Sequence, residues 1–110
     1  MNQYHIWCDL KEGVKDLAFS KAVAAYMEHL KAEGLIESWR LSRRKLGLGG
    51  AGLGEFHVEI QVRDLAQLDQ AFSLAATRTG EVERLHKAVY ASVSGVKFAL
   101  YRDFPDSVRQ

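Results

Sequence analysis

The sequence predicts an α+β domain in which one antiparallel sheet carries its helices on a single face, in the order β-α-β-β-α-α-β. Three observations carry this prediction. First, Gln3 to Leu10 and Phe56 to Val62 alternate with a period of two, the mark of strands that bury one face. Second, Val14 to Glu33 repeats its apolar residues at spacings of about 3.6, the mark of an amphipathic helix. Third, Gly13, Gly34, Gly80 and Gly95 fall between the periodic segments, and five of the nine glycines crowd into Leu46 to Gly54. Punctuation and periodicity agree.

Taken in order, the first strand sets Tyr4, Ile6, Cys8 and Leu10 against His5, Trp7 and Asp9. The first helix gathers Val14, Leu17, Ala22, Val23, Tyr26, Met27 and Leu30 into a stripe, with Gly34 at its C-terminal cap. Leu35 to Lys45 reads as a second strand whose two faces are less distinct, as suits a charged sheet edge. Leu46 to Gly54 is a loop. Phe56, Val58, Ile60 and Val62 then alternate with Glu55, His57, Glu59 and Gln61. Asp64 caps a helix bearing Leu65, Leu68, Phe72 and Ala75. Beyond Gly80, a second helical stretch carries Val82, Leu85, Val89 and Val93 until Gly95 ends it, and Val96 to Asp103 forms the last strand.

Two split β-α-β units with right-handed crossovers put the first and third strands at the centre of the sheet. Both helical layers then cover the Tyr4/Phe56 face. The opposite face keeps His5, Trp7, Asp9, His57, Glu59 and Gln61, with Ala99 and Tyr101. That face is too polar for a dry core and too aromatic to be left bare. A face-to-face sheet homodimer with a hydrated interior satisfies both conditions.

Length and composition narrow the function. The 110 residues make one domain, 1–110. A formal charge of +1 supplies no long-range field for nucleic acid or a membrane surface. The opening MNQYHIWCDL lacks a basic region followed by a long apolar run, and no stretch is long enough to span a bilayer. One cysteine forms no internal disulfide, which suits a cytoplasmic protein.

The opening YHIWCDL, the loop and strand GGAGLGEFHVEI and the ending KFALYRDFPD resemble the dimeric α/β-barrel superfamily. Within it, the chain is most similar to small bacterial and marine ferredoxin-like proteins of unknown function. The resemblance spans nearly the whole chain. It implies a ferredoxin-like fold and a dimer, but no one reaction. The wider superfamily includes cofactor-free monooxygenases, lactone isomerases, haem-degrading and peroxidase-like enzymes, and stress-response barrels, among which fold alone does not choose.

Several constellations bear on chemistry. His57 beside Glu59 suits proton transfer, with Trp7 as a stacking wall and His5 and Tyr101 as ligand contacts. The same residues suit, more simply, a polar dimer interior whose groups satisfy one another and water. No metal is expected, because His57 and Glu59 are two apart on a strand and nothing in the sequence fixes His5 within ligand distance of them. No cofactor is expected either. Gly47 to Gly52 spells the dinucleotide fingerprint, but it leads into a strand rather than a helix N-terminus, so it serves as a loop or lid. Arg40, Arg43, Arg44 and Lys45 form the main basic cluster, from which Arg40 and Arg44 are candidate anchors for a carboxylate. Cys8 faces the core and is assigned no chemistry. An RNA-recognition surface would stack bases on the central strands, where this chain presents His57 and Glu59 instead.

Two functions follow as expectations. One is a cofactor-free monooxygenase or isomerase that acts on a small apolar or aromatic acid through His57 and Glu59. The other is a non-catalytic barrel that binds an amphiphilic, fatty-acid-like carboxylate or a partner.

Overall fold

A computed structural model of the chain describes residues 1–77 and 80–105. Asp106, the last residue of the KFALYRDFPD ending, lies outside them. Seven elements follow the expected order: β1 (Asn2–Leu10), α1 (Asp16–Ala32), β2 (Ser38–Arg43), β3 (Phe56–Val62), α2 (Leu65–Ala76), α3 (Gly80–Tyr90) and β4 (Val93–Arg102). The strands form one antiparallel sheet in the order β2-β3-β1-β4, so β1 and β3 are central. Among the described residues no helix is long and apolar enough to cross a membrane.

The covered face of the sheet supplies half of the core. Phe56, Val58, Ile60 and Val62 are all buried, and Cys8 joins them from β1. From above, α1 packs Phe19, Val23, Tyr26, Met27 and Leu30, while α3 contributes Val82 and Leu85. Phe19 meets Phe56 edge-on at 5.2 Å, a geometry that aromatic pairs favour. Two details of the expected helix stripes are corrected. Phe19, not the 73% exposed Leu17, fills the start of the α1 stripe. On α2 the buried residues are Gln67, Leu68 and Ala71, whereas Leu65 and Phe72 are exposed.

Gln67 is buried because its polar atoms all find partners. Its amide nitrogen donates to the Gly34 carbonyl at 3.0 Å and to Glu37 Oε2 at 2.9 Å. Its side-chain oxygen accepts from the Arg63 N–H at 2.7 Å. Its backbone N–H donates to Asp64 Oδ1 at 2.9 Å, the N-terminal cap expected of that aspartate. One glutamine thus ties the start of α2 to the end of α1.

Two boundaries move. The Leu35 N–H closes the C-terminal cap of α1 on the Leu30 carbonyl at 2.9 Å, so β2 begins only at Ser38. Val93 starts β4 rather than ending a helix. Gly95 lies inside that strand with φ +60°, as part of a bulge where the register passes from Trp7↔Lys97 to Asp9↔Ser94. Gly54 closes the glycine-rich loop against β1. A Cβ there would sit 2.4 Å from both the carbonyl carbon and the carbonyl oxygen of Cys8, so only glycine fits.

Candidate functional site

The open face of the sheet can be built from its register. Arg40, Glu59, His5 and Ala99 lie in one row across the four strands, and Ser42, His57, Trp7 and Lys97 in the next. His5 is therefore directly opposite Glu59 and diagonal to His57, a distance that long or aromatic side chains cover. His5 Nδ1 and His57 Nε2 are 2.8 Å apart and share a hydrogen bond, the donor being set by tautomer. His5 Nδ1 is also 3.9 Å from Glu59 Oε1.

Three rings lie nearly parallel. Trp7 stacks on His57 at 4.7 Å and 8°, and His5 stacks on His57 at 5.1 Å. Tyr101 meets His5 edge-on at 5.1 Å and 81°. Together with Gln3, Gln61 and Asp103 these groups line a shallow groove of about 460 Å³. Burial holds the His57 imidazole below its usual range. The neighbouring His5 adds to this and Glu59 opposes it, with Arg40 pushing the same way as burial. His57 is consequently neutral near physiological pH.

The structure thus brings His5, Trp7, His57, Glu59 and Tyr101 together. The hydrogen bond described for the His57 ring goes to His5, and Glu59 approaches His5, so the unit is a trio rather than a pair. The distance objection to a metal is corrected, because ligand atoms of His5, His57 and Glu59 all lie within 4.8 Å of one another. The arginines are dispersed instead. Arg40 is exposed beside Glu59, and the Arg44 guanidinium reaches the Leu53 carbonyl at 3.4 Å. Arg43, on the covered side, pairs with Glu55 at 2.8 Å and Asp16 at 3.0 Å. Cys8 is buried, and its thiol is pushed up to about 11, first by burial and then by Asp9.

A second space lies on the other side of the sheet. Between sheet and helices is a cavity of about 360 Å³ lined by Ile6, Val23, Met27, Val58, Ile60 and Leu68, among others. Its rim includes Phe72 and Phe98, which are 47% and 61% exposed. The polar side chains in its lining include Tyr4, Tyr26, His86 and Tyr90. Tyr26 packs against His86 at 5.4 Å, His86 lies 4.0 Å from Glu83, and the Tyr90 hydroxyl donates to Glu83 at 3.3 Å. Burial pushes the Tyr26 hydroxyl up, with a further contribution from Glu83. Sequence reasoning missed this cluster. Its signal was the Glu83/His86 spacing of one helical turn on α3, which reads as an ordinary surface pair. Neither Arg40 nor Arg44 lines the cavity or the groove.

Fold and site together define a ferredoxin-like α+β protein with a polar aromatic sheet face and an apolar helix–sheet cavity. The chain belongs to a family of unknown function, DUF6614, which matches residues 1–110. Three solved structures illustrate the fold. The Arabidopsis thaliana protein At3g17210 is similar with a TM-score of 0.75 at 10% identity, covering 97% of this chain and 99% of that one. A dimeric ferredoxin-like protein of unknown function from Jannaschia sp. gives 0.68 at 15% identity, covering 94% and 100%. An antibiotic biosynthesis monooxygenase gives 0.60 at 18%, covering 96% and 100%. At these identities the likeness shows the fold alone. Among curated proteins none matches the sequence.

Proposed function

We propose that the chain forms a homodimer through its open sheet face and takes a small apolar or aromatic molecule into the cavity between helices and sheet. The cavity carries this reading. Protein interiors pack to crystal-like density, and a gap of about 360 Å³ left empty is costly. The volume lies within the roughly 300–1,000 Å³ of ordinary ligand sites. An apolar body with a hydrogen-bonding end matches the lining, the end directed to Tyr26 and His86. A carboxylate end is disfavoured there by Glu83, and no arginine lines the space. The Jannaschia neighbour, described as dimeric, supports the homodimer.

The test is displacement of an apolar fluorescent probe, coupled to native mass spectrometry. Wild-type protein is expected to bind the probe, and Ala71→Phe, which fills the cavity, to lose it with the oligomer mass unchanged. Probe binding that survives in the filled variant with equal affinity overturns the proposal.

A second reading is favoured by the neutral His57 bonded to His5. It makes the open groove a cofactor-free oxygenase or isomerase site for a small aromatic acid, with His57 taking the proton and Glu59 steadying the charge through His5. The monooxygenase among the structural neighbours supports it. In that case His57→Ala abolishes turnover and leaves the dimer folded; a change confined to dimer stability sinks it.

A further inference from the structure

We propose that His5, His57 and Glu59 bind a borderline divalent transition-metal ion, Zn²⁺ being the representative case, on the open face of the sheet. Two imidazoles and one carboxylate are the donor set such ions prefer, whereas Mg²⁺ and Ca²⁺ favour all-oxygen shells. The donors come from adjacent central strands, β1 and β3, so the ladder holds them rather than a loop.

The spacing suits an ion. His5 Nδ1 and His57 Nε2 are 2.8 Å apart, and His5 Nδ1 is 3.9 Å from Glu59 Oε1. Ligands held at about 2.0–2.1 Å in a tetrahedral shell sit roughly 3.4 Å from each other, so these two edges adjust by about half an ångström. The third edge, between His57 and Glu59, is within 4.8 Å and closes by up to about 1.4 Å to seat the ion. The proton now shared between the rings moves to the outer nitrogen of whichever ring carries it. Both imidazoles then stay neutral and each presents one lone pair. The rings need no ion to hold their planes. Trp7 stacks on His57, and Tyr101 braces His5 edge-on. Three protein ligands leave a fourth position for water or a ligand in the groove.

Arg40, across from Glu59, and Lys97, across from Trp7, both oppose a cation. Affinity must therefore come from the three donors and not from the surrounding field. An ion here occupies the lone pair that the proton-transfer reading assigns to His57, so the two exclude each other. The cavity reading is independent of both.

The experiment is calorimetric titration of chelator-treated protein with Zn²⁺, repeated with Co²⁺ for its visible spectrum. One ion per chain is expected, with Co²⁺ bands typical of nitrogen and oxygen donors. His57→Ala and Glu59→Gln should each weaken binding roughly 100-fold or more, beyond the 10–100-fold that loss of an outer-shell partner costs. His29→Ala, on α1, should leave it unchanged. Glu59→Gln keeps the side-chain shape, which separates loss of a ligand from loss of fold. Wild-type protein that takes up no Zn²⁺ at micromolar concentration overturns the proposal. So does affinity that persists in the His5→Ala/His57→Ala double variant.

Discussion

The two faces of one strand, β3, do different physical work. On the covered side Phe56, Val58, Ile60 and Val62 are at most 5% exposed, whereas His57, Glu59 and Gln61 on the other side stay half-buried. Fully burying an aliphatic or aromatic side chain contributes about 1.5–3 kcal/mol. A cross-strand pair on a wet face contributes only about 0.2–1 kcal/mol. Folding free energy is therefore concentrated on the covered face, and the open face is released to hold groups chosen for their chemistry. The arrangement of His5, Trp7 and His57 is possible because the fold does not depend on it.

Substitutions on the two faces should separate these roles. Phe19→Ala, in the covered core, is expected to cost about 3–5 kcal/mol in urea denaturation; a loss under 1 kcal/mol breaks the comparison. Trp7→Ala, on the open face, should cost the isolated chain less than about 1 kcal/mol. If that face is the dimer surface, the same change raises the dimer dissociation constant by about 30-fold, the size of a 2 kcal/mol hot spot. Sedimentation velocity reads the second effect, and an unaltered dimer would place the interface elsewhere. Cys8 and Trp7 are neighbours in the chain but face opposite ways, so thiol labelling sharpens the contrast. With the Cys8 thiol raised from 9.0 to about 11, its thiolate fraction at pH 8 falls about 100-fold. Alkylation at that pH should be slower than in the unfolded chain by at least that factor. The stabilisation linked to the raised thiol is present below pH 9 and is lost as pH rises towards 11.

Elements whose two sides meet different surroundings were legible in the sequence. The strands β1 and β3 alternate because helices cover one face only, and their pairing followed from the crossover rule. The gathering of His5, Trp7, His57, Glu59 and Tyr101 was readable for the same reason, since alternation assigns each residue to a face. Register was not readable, and it is register that sets His5 beside both His57 and Glu59. Gln67 was overlooked because its burial depends on Gly34 and Glu37, more than 29 residues away. Phe72 looked like core by periodicity, but it lies at the rim of a cavity. A gap between well-chosen apolar residues leaves no pattern in the residues themselves, so the sequence left open whether a cavity lies between two sheets or between helices and sheet.

The tight seat of Gly54 against β1 also governs where chain length is free to vary. The Glu55 N–H is held by Asp9 at 2.9 Å and the Arg44 N–H by the Glu55 carbonyl at 2.7 Å, so both ends of the hairpin are tethered. Between them Leu46 and Leu48 stand 82% and 76% exposed. Insertions at that tip hang from a fixed post and leave the pairing of β2 with β3 untouched. A deletion that reaches Gly54 instead drags a side-chain-bearing residue onto the Cys8 backbone. Relatives of differing length should therefore gain and lose residues before Leu53, and an epitope or reporter peptide grafted there inherits the same tolerance.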